Sequence, residues 1–340
     1  MAIKEVIRVP TGYILIVEGQ KGKLECLSIG DYGKEHNIKA DFLGLPDPIN
    51  GVTAKQVMPL TKKWVVTISS QYGCSMRCKF CDVPLVGPGI NASVTDMDLQ
   101  VASALSMFPD ITKTARLNIH YARMGEPTFN PAVLEHARNL IRSPQHDVVR
   151  NSLVHPVLST MMPKAHTSLL DYLLEWCEIK NEVFGGNAGL QLSINTTNEQ
   201  QRQDMFDGCS LSLAEISEIA GKLPDPVGRK YTVNIALADG TEVDGKEMAR
   251  LFDPARFICK ITPIHVTTTS TKFGVTTAEG YHSYVPYQQC EEDLKANGFD
   301  VLVFVPSMDE DEGMITCGNA VLSGRQPKTV DAPLVPLPEK

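Results

Sequence analysis

Apolar side chains alternate with polar ones, or run together briefly, six times along this chain, at residues 64–69, 116–121, 154–159, 190–194, 231–237 and 257–263. Short runs rich in Val, Ile and aromatic residues read as strands. The segments between them carry helix signals. Thr95 is an N-cap for a helix over 95–108, with Asp96 and Asp98 in its first turn, where negative charge suits the helix dipole. Asn130-Pro131 places proline at the first position of another. Ser212-Leu213-Ala214-Glu215 is a capping box, and a further helix covers 242–252. Repeated β-then-α units predict a parallel sheet, and six of them predict an α/β partial (β/α)6 barrel. Reactive groups in such folds gather at the carboxyl ends of the strands.

The pattern changes at both flanks. Residues 12–17 and 22–29 predict a β-hairpin around Glu18-Gly19-Gln20-Lys21. After the core come a helix over 281–297, a strand over 300–305, an acidic turn over 309–312 and a Pro-rich, flexible tail from Arg325. Four regions result: a hairpin region with an insertion (1–63), the barrel core (64–270), a C-terminal helix–strand extension (271–324) and the tail (325–340). At 340 residues and 43% hydrophobic, the chain is long enough for this arrangement.

Met1-Ala2-Ile3-Lys4-Glu5 opens no apolar leader, and no later run is long enough to span a bilayer, so a cytoplasmic protein without a membrane partner is expected. The nine cysteines then read as thiols and ligands rather than a disulfide framework. The formal net charge is −8, and the basic pairs Lys62/Lys63, Arg77/Lys79, Arg116/Arg123 and Arg229/Lys230 look scattered. This balance does not favour a grip on long nucleic acid.

Two runs carry chemistry. Just past the first strand, Cys74, Cys78 and Cys81 form a C-x3-C-x2-C cluster within Tyr72-Gly73-Cys74-Ser75-Met76-Arg77-Cys78-Lys79-Phe80-Cys81. Three thiolates in one loop hold three corners of a [4Fe–4S] cube and leave one iron for a substrate or cofactor, whereas electron-transfer clusters take four cysteines. A zinc site would show a second cysteine or histidine pair, and none follows. Just past the second strand lies Met124-Gly125-Glu126-Pro127-Thr128-Phe129-Asn130. By itself this is equally a β–α turn with Asn130 as helix cap.

Together these runs resemble the radical S-adenosylmethionine superfamily, where the open iron binds S-adenosyl-L-methionine and cleaves it to a 5′-deoxyadenosyl radical. With Leu158-Ser159-Thr160, Ser193-Ile194-Asn195 and Ile315-Thr316-Cys317-Gly318-Asn319 they follow the order of a narrower family. That family comprises the RNA adenine-C2 methyltransferases and the chloramphenicol–florfenicol resistance methyltransferases. The resemblance covers roughly residues 64 to 322. It implies that Gly125, Glu126, Ser159, Ser193 and Asn195 contact the methionine cofactor, with Asn195 standing where the family usually has histidine. His265 falls where the family has a cofactor-binding asparagine, and a satisfied strand-end histidine is the equal alternative. Cys317, read alone, is a small buried residue. The resemblance makes it a methyl carrier: one S-adenosylmethionine methylates it, and a radical from a second draws a hydrogen from that methyl. The resulting thio-methylene radical adds to an electron-poor adenine carbon.

Three departures stand out. The family's second cysteine is Thr67 here, which cannot replace a thiol in resolving a covalent adduct. Cys26 is a substitute thiol or, more simply, an ordinary strand residue. The family's hairpin glutamate, a base, falls on Ala54 by ungapped counting and on Glu25 by matching the hairpin, the preferred alignment. The family's N-terminal accessory domain is not expected, which puts ribosomal RNA in doubt and leaves a smaller RNA or a nucleotide-like molecule open. A flavodoxin or ferredoxin is the implied electron donor. Two other readings stay open: a radical enzyme modifying a small metabolite or peptide, and a non-catalytic iron–sulfur protein. Cys177, Cys209, Cys259 and Cys290 read as structural.

Overall fold

The computed structural model describes residues 3–31, 58–142, 146–281, 283–306 and 308–331. The insertion expected after the hairpin and the end of the Pro-rich tail lie outside them. Twelve strands are present in these residues: β1 (Ile3–Val9), β2 (Gly12–Gly19), β3 (Gly22–Ile29), β4 (Trp64–Ile68), β5 (Gln71–Gly73), β6 (Pro88–Asn91), β7 (Leu117–Tyr121), β8 (Val154–Thr160), β9 (Gly189–Ser193), β10 (Tyr231–Leu237), β11 (Phe257–Pro263) and β12 (Asp300–Val303). Ten form one open sheet in the order β1-β2-β3-β4-β7-β8-β9-β10-β11-β12, while β5 and β6 pair separately.

The six expected strands are there, and every neighbouring pair from β4 to β12 is parallel. The flanks differ from expectation. β12 is a seventh parallel strand beside β11, shorter than predicted, rather than part of a separate extension. At the other edge the predicted hairpin gains β1, which the sequence reading missed, and β3 runs antiparallel onto β4. The acidic turn is a short helix, Met308–Glu312. The first predicted helix is Val94–Leu105, capped by Ser93 instead of Thr95, because the reciprocal bonds of the capping box join Ser93 to Asp96.

Strand alternation decides what faces the helices. Trp64, Val66 and Ile68, then Leu117, Ile119 and Tyr121, then Val233, Ile235 and Leu237 lie in one continuous core with the helical side chains. The other face is polar, carrying Thr67, Asn118, His120, His155, Ser159, Gln191, Asn234 and Lys260. A period of two fixes this division, since a slip of one residue would turn the entire apolar set outward. No helix among the described residues is long and apolar enough to cross a membrane.

Candidate active site

The β5–β6 ribbon grips the start of the cysteine loop: the Cys74 amide donates to Gly87 O at 3.1 Å. Beyond it the loop folds over Met76, Met161, Met205, Phe206 and Ile264, an apolar patch on which Cys74, Cys78 and Phe80 also pack. Phe80 meets Phe206 edge-on at 5.6 Å, and the Lys79 amide donates to Met205 O at 2.9 Å. Burial, and then the neighbouring thiols, push Cys78 well above its ordinary range. Burial chiefly pushes Cys74 and Cys81 up to about 12.

Such thiols are costly as free thiolates, and iron reverses the cost because a coordinated thiol is deprotonated outright. Among the described residues no three Cys, His, Asp or Glu side chains converge on a point that would hold a single metal ion. The donor set fits a three-cysteine cluster.

Glu126 lies beside this loop. Its Oε2 accepts from Met161 N at 3.0 Å, and its Oε1 from Thr128 N at 3.2 Å and Thr128 Oγ1 at 2.8 Å. It is buried, and among the described residues it has no cationic partner. Burial raises its pKa despite these bonds. A buried carboxylate with donors on both oxygens and no counter-charge is a ready seat for an ammonium group. Gly125 holds the chain at φ +99°, and a Cβ there would stand 2.6 Å from Gln71 Cβ, so this close approach requires glycine.

Across the sheet, Ser159 Oγ reaches Gln191 Oε1 at 3.4 Å. Asn195 stands at φ +66° after β9, its Oδ1 accepting from Ala236 N at 3.0 Å. Its buried Nδ2 has no hydrogen-bond partner among the described residues. Such an orphan donor is the kind of group a bound cofactor satisfies. Arg202, overlooked in the sequence, braces these strand ends from below. It is fully buried, donates to the carbonyls of Ser193 (2.8 Å), Ile194 (2.7 Å) and Met161 (3.2 Å), and stacks on Phe206 at 4.6 Å.

Cys317 is exposed rather than buried in the core. Its loop is tied to the cluster loop itself: the Asp82 amide donates to Gly318 O at 2.8 Å. At φ +84°, a Cβ on Gly318 would stand 2.9 Å from Phe80 O and 3.7 Å from Cys81 Cα. Buried Asp82 also accepts from the amides of Thr268 (3.0 Å) and Thr269 (2.7 Å), joining the cysteine loop to the helix Thr268–Phe273.

The far side of the Cys317 loop is clamped by Glu25. Its Oε2 is ion-paired with Arg123 at 2.7 Å and accepts from Arg123 Nε at 2.9 Å, while Oε1 accepts from Leu322 N at 2.5 Å. Arg123 then donates through its other arm to Met314 O at 3.0 Å. Both oxygens of Glu25 are engaged and it is fully buried, so in this structure the carboxylate brackets residues 314–322. His265 likewise pairs with Asp311 at 2.9 Å, and Asp311 accepts from Thr316 Oγ1 at 2.8 Å. Burial opposes ionisation of Asp311, yet the His265 and Thr316 bonds outweigh it and hold its pKa below the usual range. His265, just past the end of β11, is therefore tied through Asp311 to the Cys317 loop.

Thr67 lies on the polar face, level with His120. Cys26 points the other way. Its thiol donates to Gln100 O at 3.6 Å beneath the helix Val94–Leu105, and burial pushes its pKa far up, so it is the ordinary strand residue. Cys209, read as structural, packs with Cys74 and Cys78 against the apolar patch under the cluster loop.

A solved radical SAM methyltransferase from Sphaerobacter thermophilus superposes with a TM-score of 0.64 at 18% identity, covering 93% of this chain and 80% of that one. The fold is the radical SAM fold. No protein-family model matches the chain. Curated relatives include the dual-specificity RNA methyltransferase RlmN of Sorangium cellulosum, 23% identical over 262 residues, which are 77% of this chain and 62% of that protein. Another is the probable RlmN of Mycobacterium marinum, 35% identical over 191 residues, 55% of this chain and 49% of that one. The chain thus spans about half to just under two thirds of these relatives' length. The resemblance to the RlmN-type family and to radical SAM methyltransferases stands, at low identity.

Proposed function

We propose that the protein is a radical SAM methyltransferase that methylates an unactivated sp2 carbon, on an adenine-type base, through Cys317. The observation that carries this reading is the bond from Asp82 N to Gly318 O, which pins the residue after Cys317 against the residue after Cys81. A carrier thiol must meet both the cofactor and the substrate, and the exposure of Cys317 beside the cluster loop supports that role. The names of the RlmN relatives support an RNA or nucleotide-like substrate.

Cys74, Cys78 and Cys81 would hold the [4Fe–4S] cluster. When bound, the cluster and S-adenosyl-L-methionine supply a methyl group and a carbon-centred radical, chemistry that belongs to the cofactor. The chain supplies position. Glu126 receives the methionine ammonium, Gly125 lets backbone approach it, and Ser159, Ser193 and Asn195 line the neighbouring strand ends. Glu25, Arg123, His265 and Asp311 orient the Cys317 loop. A small electron-transfer protein such as a flavodoxin or ferredoxin is the reductant this scheme needs. Thr67 in place of a resolving cysteine makes release of the product the step in which this chain differs from its relatives. Production of 5′-deoxyadenosine and S-adenosylhomocysteine from the reduced, reconstituted protein tests the reading. The first without the second would favour a radical modification other than methylation.

A further inference from the structure

Lys63, Arg116, Arg229 and Lys260 are far apart in sequence, yet the sheet gathers them on its polar face. Strand register sets Asn118 beside His155, Thr67 beside His120, and Asn234 beside Lys260. Arg116 Nε donates to Asn118 Oδ1 at 2.9 Å. Asn187 O accepts from His155 Nδ1 at 2.9 Å and from Arg229 at 3.2 Å. A carbonyl only accepts, so Nδ1 carries the ring proton and Nε2 is left as a lone pair. That nitrogen is buried and has no hydrogen-bond partner among the described residues.

The charges work against each other. Burial first, then Lys260, Lys63, Arg229 and Arg116, bring His120 down to about 3. Burial, Arg116 and Arg229 bring His155 to about 4. Burial and Arg116 lower Arg229 to about 10. Asp31 is ion-paired with Lys63 and also favours the charge on Arg116 and Lys260; among the described residues it is the carboxylate that acts on these cations. Partly buried cations that disfavour one another describe a site for a multivalent anion.

We propose that Arg116, His155, Arg229 and Lys260, with His120 and Lys63 beside them, bind the terminal phosphate of a small phosphorylated substrate. Guanidinium forks match phosphate oxygens in geometry, and protonated imidazoles add donors. His155 is near the amino end of β8, and just past the carboxyl end of that strand Met161 meets Glu126. A ligand seated by its phosphate therefore extends along the polar face toward the cysteine loop. Partly buried cations suit a terminal phosphate better than a continuous strand, which needs a groove open along its length. The inference rests on the proposed function only for the ligand's reacting end.

The test titrates the full chain with inorganic phosphate and with adenosine 5′-monophosphate at matched ionic strength, following the histidine ring resonances by NMR. Saturable shifts of His155 and His120 toward the protonated form are expected, with the nucleotide displacing phosphate. R229M and K260M should each weaken binding about tenfold or more. The melting temperature of the ligand-free variants should hold or rise, because a repelled charge has been removed. No saturable shift, unchanged affinity in both variants, or a fall in both melting temperatures would overturn the proposal. So would equal competition by an oligoribonucleotide without a terminal phosphate, which would give these charges to a nucleic-acid backbone. Cleavage of S-adenosylmethionine without added substrate reads the radical centre separately: cleavage without phosphate binding sinks this inference alone.

Discussion

Glu126 is a carboxylate held where burial opposes its own charge. Its carboxylate is buried with hydrogen bonds but no counter-charge among the described residues. E126Q should therefore leave the cofactor-free chain as stable or more so, judged by thermal melting. The same change should weaken S-adenosylmethionine binding about tenfold or more, judged by calorimetry, as loss of a charge-assisted bond does. Gly318 is a second constrained residue. G318A forces a Cβ toward Phe80 O at a left-handed φ, which costs about 1–3 kcal/mol. It should slow methylation of Cys317 in a peptide-mass time course while the cluster absorbance persists. The cluster cysteines and the Gly-Glu run were legible because each role sits in one short stretch of sequence. Glu25 was legible as a residue of interest but its contacts were not, since its partners Arg123 and Leu322 are 98 and 297 positions away.

At the scale of elements, Glu25 and Arg123 clamp β3, the loop after β7 and residues 314–322 together. Removing one member of a buried ion pair leaves an uncompensated charge, so R123M should cost about 3–5 kcal/mol in denaturant unfolding. The double variant E25L/R123M should recover much of that stability, because a well-packed apolar pair escapes desolvation. Limited proteolysis should nonetheless cut more readily around Cys317 in the double variant, as two backbone anchors are gone. The alternating strands β4 and β7–β11 were readable from periodicity alone, β10 and β11 to the residue. β1 escaped because four of its seven residues, Lys4, Glu5, Val6 and Arg8, are exposed and a register shift between Ile3 and Glu5 breaks the alternation. β12 was seen as a strand, but parallel pairing to β11 is a long-range choice that no local signal contains.

Taken whole, the described residues are built on one ten-stranded open sheet with its apolar face under helices and the candidate site on the polar face and at the carboxyl ends of the strands. Composition hid the arrangement of charge: a chain of net charge −8 nevertheless turns four cations toward His120. The same gathering explains why Thr67 matters. It stands beside His120 in register, on the face where substrate and carrier would meet, and carries no thiol. The substrate-bound intermediate should therefore persist longer than in relatives with a cysteine there, visible as a protein-linked adduct in intact-mass spectra.

The central claim is that Cys317, docked on the cluster loop, carries the methyl group. Peptide mass analysis of the anaerobically reconstituted, reduced protein after incubation with S-adenosylmethionine measures it directly. One added methyl or methylene unit on the peptide containing Cys317, absent from C317S, is the predicted result. An unmodified Cys317 in protein that still releases 5′-deoxyadenosine would contradict it.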